Sequence, residues 1–416
     1  MRTIQELTGA QLARYVDITA NAYPGIKIVT AEEKERTRQR TAAMAADPGV
    51  RLYGLFEEGE MLGVMRCHDF TMQLFETRAL VGGLGGVAVD LLHKKEKVAR
   101  DMVHFFLRDY RARGACLTAL YPFRPDFYRQ MGFGYGTKLT QYSITPDSLP
   151  RGAAKGNVRF LAAADRPALL ACYDRVMTRT HGLMAKQDSA VDGLFQSAAA
   201  RIAGCWEDGE LRGYLVFTFR PTRDDNFLAH DLLVRELIYE TPAALAALLT
   251  FLHTQADQVA RIQFQTQDES FYFLLRDPRN GTGNILPSVW HESNVQGVGL
   301  MYRVIDVPRL FEVLGGHDFG GQSCRLRVDL ADSFLPENAG VYGVGVENGR
   351  FHPIDAATAD VSIALDVAEF SALVTGVVGF RQLVEYGLAA ISDAQWLDVV
   401  HRLFHAAQPP RCLTSF

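Results

Sequence analysis

Residues 87–100 are the part of the sequence where a binding chemistry is most directly indicated. They read VAVDLLHKKEKVAR, so that an apolar strand is followed by a basic turn and the start of a helix. The first turn of a helix has free backbone N–H groups and a positive potential, which favour a bound phosphate. His93, Lys94, Lys95 and Lys97 add positive charge here. Two interpretations stay open: a site for the phosphate of a cofactor, and a solvated basic turn, which is a common surface feature.

Other groups of reactive residues give weaker indications. His401 and His405 lie four residues apart on a predicted helix, but no third ligand accompanies them, so a packed or surface pair is favoured over a metal site. The glycine-rich residues 82–86 precede the end of a strand rather than a helix, which favours close backbone approach or a bulge over phosphate binding. The six cysteines form no Cys-x-x-Cys pair, so no metal is expected.

The composition is typical of a globular cytoplasmic protein. A length of 416 residues predicts roughly two to four domains, and 48% hydrophobic with 22% charged residues allow cores of ordinary size. The net charge of −5 gives no reason to expect a nucleic acid partner. Because the sequence shows neither a signal peptide nor eighteen uninterrupted apolar residues, we expect no membrane span.

An internal duplication organises the first two thirds of the chain. Residues 51–64 (RLYGLFEEGEMLGV) and 201–214 (RIAGCWEDGELRGY) share six identical positions at an offset of 150. Each segment is a predicted β-hairpin, and two hairpins can share turn chemistry without being related. The same offset, however, places residues 237–239 on 87–89, and a helix and a strand follow both. The sequence therefore predicts two related α/β domains in tandem.

The elements that position the basic turn can be predicted along the first copy. Thr8 is a candidate cap for the first helix. The further expected elements are a charged helix at about 31–46, a hairpin at 51–70, a strand ending at 89, a helix at about 96–113, a strand at 115–121, a short helix at about 127–131 and a last strand near 135–145. This order predicts a mixed sheet with helices on its faces.

The rest of the chain contains two predicted boundaries and a third domain. Residues 146–158 form a plausible linker, and residues 278–299 are rich in Pro, Asn and Gly. The last part is predicted to be an α+β domain, with Asp366 and Ser392 as helix caps. Its expected strands are 324–329, 340–347 and 360–365, and its expected helices are about 367–375, 379–385 and 393–406. The predicted domains are 1–148, 149–290 and 291–416.

These features together resemble a known superfamily. A Val-x-Val strand, a basic turn opening a helix, a further strand and then Phe127-Tyr128-x-x-Met131-Gly132-Phe133 resemble the GNAT acetyltransferases. The whole chain is similar to the Eis (enhanced intracellular survival) branch, whose members join a catalytic GNAT domain, a degenerate GNAT domain and a sterol-carrier-like domain. The resemblance covers all 416 residues, and the architecture is more specific than any single motif.

The resemblance implies a set of site residues for acetyl-CoA as co-substrate. It makes Tyr128 the general acid and the C-terminal carboxylate of Phe416 the base. The implied cofactor contacts are Val87, Ala88 and Val89 on the pantetheine arm and acetyl carbonyl, Lys95, Glu96, Lys97, Val98, Ala99 and Arg100 around the pyrophosphate, and Phe123 and Arg124 on the far side.

The sequence departs from the family pattern at two points. Lys97 stands where the phosphate turn usually has glycine, which lets the backbone approach the pyrophosphate. No acidic residue follows Asp398 to recognise a polycationic substrate. In the second copy, Glu240-Thr241-Pro242 enters the helix without a basic turn, so we expect a structural domain that helps to wall the substrate pocket.

The predicted function is transfer of acetyl from acetyl-CoA to a primary amine by direct attack. The resemblance implies an aminoglycoside-, polyamine- or lysine-like acceptor, a pocket bordering Tyr23-Pro24-Gly25, and a homo-oligomer, with hexamers frequent in the family. The alternative is a non-catalytic lipid or small-ligand binding protein built on a decayed acyltransferase scaffold. For the third domain we favour a scaffold that delivers the C-terminus over a lipid carrier.

Overall fold

The structure is a computed structural model that describes residues 1–152 and 155–416. Residues 153 and 154 of the predicted linker lie outside the described part of the chain. The helices are α1 (Leu12–Ala22), α2 (Ala31–Ala45), α3 (Val98–Ala112), α4 (Pro125–Arg129), α5 (Arg166–Thr178), α6 (Asp188–Gln196), α7 (Pro242–His253), α8 (Val307–Val313), α9 (Val367–Val374), α10 (Phe380–Glu385) and α11 (Leu397–Leu403).

The strands fall into three large sheets and one small hairpin. They are β1 (Arg2–Glu6), β2 (Val50–Glu57), β3 (Glu60–Leu74), β4 (Thr77–Val89), β5 (Leu117–Leu120), β6 (Gly134–Tyr135), β7 (Leu139–Ile144), β8 (Val158–Phe160), β9 (Arg201–Glu207), β10 (Glu210–Pro221), β11 (His230–Tyr239), β12 (Val259–Thr266), β13 (Ile285–Leu286), β14 (Trp290–His291), β15 (Asn294–Gly297), β16 (Met301–Val304), β17 (Cys324–Ala331), β18 (Gly340–Glu347), β19 (Arg350–Pro353), β20 (Val361–Asp366) and β21 (Ala389–Ile391).

The duplication is confirmed in the first two sheets. The first has the order β1-β2-β3-β4-β5-β16-β6, and the second has the order β8-β9-β10-β11-β12-β7-β15, so that each position in one sheet has its counterpart in the other. In both sheets the central pair, β4/β5 or β11/β12, is parallel and the other pairs are antiparallel. We call the parts of the chain built on these sheets the first and second units.

The two repeated hairpins close with the same turn. Glu58 and Gly59 have φ of 53° and 87°, and Asp208 and Gly209 have φ of 51° and 81°. Two successive residues with positive φ form the tight hairpin turn that matches the right-handed twist of the flanking strands. The acidic-Gly pairs that reveal the duplication in the sequence therefore occupy the two positive-φ positions of this turn.

The two units exchange a strand, which the sequence did not reveal. The predicted last strand, 135–145, is wrong as one element, since β6 stays in the first sheet whereas β7 lies in the second between β12 and β15. In return, β16 enters the first sheet between β5 and β6. The chain segments cross where the Gly136 N–H donates to the Leu300 carbonyl at 2.8 Å. The predicted boundaries at 148/149 and 290/291 therefore do not coincide with the division into sheets.

The third unit begins at α8 and contains the sheet β19-β18-β17-β20-β21. Its apolar core is continuous with one face of the first sheet, because Phe70 and Val81 belong to the same buried cluster as Phe370. The side chain of Asp366 caps α9 by accepting the Ala368 N–H, as predicted. The predicted cap Ser392 is wrong: Asp393 accepts the Gln395 N–H instead, and Ser392 bonds to Ser362 in β20.

A fully buried ion pair joins the exchanged strand to the third unit. Arg303 on β16 lies 2.9 Å and 3.0 Å from the two carboxylate oxygens of Asp332, and its Nη1 donates to the Gly132 carbonyl at 3.3 Å. Both side chains have 0% exposure. Since Gly132 follows the helix that carries Tyr128, this pair also supports the site described below.

Breaking this pair is expected to destabilise the protein strongly. Replacing either Arg303 or Asp332 with alanine leaves an uncompensated charge in the core, which typically costs about 3–5 kcal/mol. The double variant Arg303→Met/Asp332→Asn should recover most of the loss, because no buried charge remains and an amide oxygen can still accept the Phe334 and Leu335 N–H groups. Denaturant unfolding measures the effect, with Arg309→Ala, which removes an exposed ion pair, as control. Single variants within 1 kcal/mol of the parent would contradict the prediction.

Candidate active site

A cleft opens where β4 and β5 separate. The two strands pair only from Val81 to Leu84 on β4 and from Leu117 to Leu120 on β5, so the β4 residues from Gly85 onwards diverge from β5. The cleft has a volume of about 660 Å³. Of the predicted cofactor residues, it is lined by Val87, Ala88, Val89, Lys95, Lys97, Val98, Ala99, Arg100, Phe123 and Arg124.

The basic turn forms the floor of this cleft and has an unusual backbone. Lys95 and Lys97 have φ of 68° and 65°, in the left-handed region, and Lys97 is the N-cap of α3. A residue with a Cβ pays about 1–2 kcal/mol for this conformation. Lys97 thus keeps the backbone shape that glycine would adopt, with its side chain exposed to solvent. The first-turn N–H groups of α3 face the same cleft, so the turn fits a phosphate.

Glu96 lies in the turn before α3, as predicted from its position, and its side chain is bonded away from the cleft. Its side chain does not line the cleft; one carboxylate oxygen lies 3.1 Å from Nδ1 of His93. Its carbonyl accepts from Nη1 of Arg2 at 2.8 Å, and the same Nη1 binds Asp101 at 2.8 Å. The carboxylates of Glu96 and Asp101, which are near the turn, therefore lie close to Arg2. Their negative charge is partly neutralised by Arg2, so the lysines keep the cleft positive.

The third unit supplies part of the cleft wall. Ser333 and Phe334 lie opposite the basic turn, and the Arg100 guanidinium sits 5.6 Å from the centre of the Phe334 ring. Phe123 and Arg124 extend the wall before α4. Nothing in the local sequence around Ser333 indicates this role, because it depends on how the third unit docks on the first.

Tyr128 is buried beside the cleft, in the short helix that also carries the lining residue Phe127. Its ring lies edge-on to Phe127, Phe123 and Phe133, with centroids 5.2–5.9 Å away, and its side chain is 3% exposed. Burial, and to a lesser degree the nearby Tyr23, raise the pKa of Tyr128. The phenol therefore stays protonated at neutral pH and can donate. The Tyr23 hydroxyl itself donates to the Val87 carbonyl at 2.6 Å, which places Tyr23 at this cleft, while its place at the acceptor pocket stays a prediction.

Phe416 lies beside Gly85, at the point where β4 and β5 begin to separate. Its ring centroid lies 4.8 Å from that of Phe70 and 5.2 Å from that of Tyr121. A Cβ built on Gly85 would lie 3.0 Å from the carboxyl carbon of Phe416. Gly85 thus leaves room for the carboxyl group directly on β4, which agrees with the close backbone approach predicted for residues 82–86.

The segment that leads to Phe416 is anchored between the first two units. Arg411 donates its N–H to the His181 carbonyl at 2.8 Å, and Cys412 donates its N–H to Oε1 of Gln267 at 2.6 Å. The Tyr121 hydroxyl donates to the Thr414 carbonyl at 3.0 Å. These bonds come from both units, so the exchanged fold holds the position of Phe416.

The second unit has a corresponding cleft with different chemistry. It has a volume of about 520 Å³, and the tail residues Gln408, Arg411 and Leu413 form part of its lining. At the start of α7 the Thr241 hydroxyl accepts the Ala244 N–H, and Glu240 stands beside it, held by Arg175. Phosphate binding is unfavourable at a helix start where a side chain already accepts an N–H group and a carboxylate lies nearby.

A small cavity lies where the third unit meets the first. Its lining includes Phe75, Phe311 and Phe404, and its volume of about 10 Å³ is too small for a lipid. His401 and His405, with ring centroids 5.9 Å apart, lie nearby on α11 and after it. In the described ranges, no helix is both long and apolar enough to cross a bilayer.

Comparison with known families identifies three domains in the chain. Residues 3–136 and 177–304 each match an acetyltransferase (GNAT) domain, and residues 307–413 match a sterol carrier protein domain. An uncharacterized N-acetyltransferase of Streptomyces avermitilis is 26% identical over 215 residues, which are 47% of this chain and 52% of that protein. The chain thus spans about half the length of that relative.

Solved structures share the fold over 100% of both chains. A GCN5-related N-acetyltransferase from Anabaena variabilis has a TM-score of 0.82 at 17% identity, and one from Kribbella flavida has 0.80 at 19%. Eis1 from Mycobacterium abscessus has 0.77 at 19%. The expected architecture of tandem GNAT domains followed by a sterol-carrier-like domain is confirmed, and at these identities the structural likeness speaks for the fold.

Proposed function

The chain belongs to the GNAT acyltransferases that carry two GNAT domains and a sterol carrier protein domain, and on that premise we propose that its first unit transfers acetyl from acetyl-CoA to a primary amine. One observation carries the proposal. The separated strands and the basic turn form the cleft of the first unit, with Tyr128 buried next to the lining residue Phe127 and Phe416 beside Gly85 at the start of the strand separation, whereas the second unit has a carboxylate at the corresponding helix start.

The lining of the cleft fits acetyl-CoA. The N–H groups at the start of α3, with Lys95, Lys97 and Arg100, would hold the phosphates. The edge of β4 at Val87–Val89, which β5 leaves unpaired and where the Val87 carbonyl is bonded to Tyr23, would hold the arm. Bound there, the co-substrate supplies an acetyl thioester. The left-handed backbone at Lys97 supports this assignment, because the substitution of the usual glycine leaves the turn in the conformation that glycine favours.

Tyr128 is proposed to supply the proton that the departing thiolate needs. As the amine nitrogen bonds to the acetyl carbon, the C–S bond breaks and its electron pair goes to sulfur. A thiol has a reference pKa of about 8.5 and a phenol one of about 10. Full transfer from a phenol whose pKa burial has raised is therefore uphill until the thiolate is desolvated, and we expect a hydrogen bond to the sulfur to precede the transfer.

Phe416 is proposed to accept the other proton. The attacking nitrogen must lose one proton to become an amide, and the carboxylate beside Gly85 is the acceptor that the resemblance implies. Burial and Arg66 lower the pKa of His68, whose ring centroid lies 5.7 Å from that of Phe416, to about 3, so its imidazole stays neutral across physiological pH. Because the reference pKa of a terminal carboxyl group is also only about 3.5, basicity does not separate the two groups, and the choice of Phe416 rests on the family resemblance.

The direct test of this function is thiol release from acetyl-CoA with a panel of aminoglycosides, polyamines and lysine-like amines. Turnover with at least one amine supports the proposal. The competing hypothesis, a lipid or small-ligand binding protein, predicts acyl-CoA or lipid binding without turnover.

We further infer a homo-oligomer in the cytoplasm. The β13–β14 hairpin projects from the second unit and exposes Ile285, Val289 and Trp290 at 58%, 78% and 72%, a cluster of apolar side chains that a second copy of the chain would cover. The six cysteines are all free, as in a reducing compartment. Light scattering of the purified protein measures the assembly, and a monomer at micromolar concentration would contradict the inference.

A further inference from the structure

Arg66 on β3 stands beside the point where the acyl group would be transferred. A Cβ built on Gly85 would lie 3.2 Å from Nη2 of Arg66 and 3.0 Å from the carboxyl carbon of Phe416. The guanidinium and the carboxyl group thus approach the same position on β4. Arg66 is partly exposed.

Arg66 makes no ion pair with an aspartate or glutamate of residues 1–152 or 155–416. Its Nε donates to Nε2 of His68 at 2.8 Å, and its Nη1 contacts the Met44 sulfur at 3.3 Å. A neutral imidazole and a thioether are weak partners for a guanidinium, which normally binds a carboxylate or phosphate in a forked arrangement. By contrast, Arg51 on the neighbouring strand is paired with Asp69.

The groups packed around Arg66 are mostly uncharged. The hydroxyls of Tyr15 and Tyr23 are close enough for the positive charge of Arg66 to act on their pKa, against the larger effect of burial that raises both. The charge of Asp47 acts on the His68 imidazole, in the direction opposite to that of Arg66. Arg66 therefore faces the acceptor side of the site as a positive charge, with Phe416 as the nearest carboxyl group that the structure places there.

We propose that Arg66 binds a carboxylate of the acceptor substrate, so that the acceptor is an amino acid or another amine that carries a carboxylate a few bonds from its nitrogen. The inference rests on the proposed acetyl transfer. Of the three predicted acceptor classes, lysine-like molecules meet this requirement. Aminoglycosides and polyamines are polycations, and a second ammonium group would meet the charge of Arg66 without a compensating acid.

The experiment compares amines that differ only in the carboxylate: lysine against cadaverine, and phenylalanine against phenethylamine. For the parent, kcat/KM should be about 10- to 100-fold higher for the amino acid, as expected for a charge-assisted forked hydrogen bond. Arg66→Gln should lower kcat/KM for the amino acid by a similar factor, mainly through KM, and leave the decarboxylated amine within about 3-fold. Arg66→Lys should lie between. Arg78→Gln, which changes an exposed arginine at the far end of β4, is the control.

Calorimetric titration of lysine and cadaverine in the presence of CoA gives a second readout that needs no turnover. Lysine should bind more tightly than cadaverine to the parent and not to Arg66→Gln. Equal affinities in the parent, or an equal loss of both substrates in Arg66→Gln, overturn the inference; the second result would make Arg66 a residue that positions Phe416. Absence of turnover with every amine, while the binding difference persists, would instead contradict the proposed acetyl transfer alone.

Discussion

Replacement of Tyr128 with phenylalanine is expected to lower kcat for acetyl transfer by about 10²- to 10⁴-fold, the usual contribution of a positioned acid. The substitution removes one oxygen atom and keeps the ring that packs on Phe123, Phe127 and Phe133. KM for acetyl-CoA should change little, because the phenol is proposed to act on the departing sulfur. Initial rates of thiol release at saturating amine measure the loss.

The matched control is Tyr135→Phe. Tyr135 lies a few residues further on, in β6, and its ring is 41% exposed. Its hydroxyl has no place in the proposed chemistry, so the variant should retain parental kcat. If Tyr128→Phe retains kcat within about 3-fold, the proton reaches the thiolate by another route, such as water, and the role assigned to Tyr128 is wrong.

Removal of Phe416 is expected to have an effect of similar size, because it takes away both the proposed base and an aromatic ring that packs on Phe70 and Tyr121. We expect kcat to fall about 10²- to 10⁴-fold. Gly85→Ala separates the two causes. A Cβ there would crowd the carboxyl carbon at 3.0 Å and Nη2 of Arg66 at 3.2 Å, while the Phe416 ring can stay in place; Arg66→Gln, measured with a decarboxylated amine, shows how much of the loss comes from Arg66.

Gly156→Ala controls for the glycine substitution, since a Cβ at Gly156 meets nothing within 4 Å. Extension of the chain by one glycine after Phe416 tests the carboxylate without removing the ring, because it converts the carboxylate of Phe416 into a neutral amide. Parental kcat in both the extended chain and Gly85→Ala would show that the carboxyl group of Phe416 takes no part. In that case Phe416 contributes packing alone.

The elements that local sequence dictates were predictable. The acidic-Gly turns, the amphipathic stripe of α3 and the caps Thr241 and Asp366 follow from backbone geometry and side-chain hydrogen bonds within a few residues. The exchange of β7 and β16 was not predictable. Leu139–Ile144 alternates polar and apolar residues as any half-buried strand does, and which sheet it joins depends on the crossing at Gly136 and Leu300.

The site shows the same division. The basic turn was visible because its residues are consecutive, and the roles of Tyr128 and Phe416 came from the family resemblance. Ser333, Phe334 and Arg66 were missed, since each meets the cleft or the tail only through tertiary packing. Glu96 was assigned by its place in the turn, but Arg2, which is distant in sequence, holds it outside the cleft lining.

The most direct test of the central claim, that acetyl transfer occurs at the cleft of the first unit, is the KM for acetyl-CoA in two matched variants. Ala99 and Ala243 are the second residues of α3 and α7, and neither is buried. At either position the negative charge of aspartate stabilises the N-terminus of its helix, but at position 99 it also repels a bound phosphate. We predict that Ala99→Asp raises KM by at least about 10-fold, on the scale of a lost charged contact, and that Ala243→Asp leaves it unchanged. The reverse pattern would contradict the account.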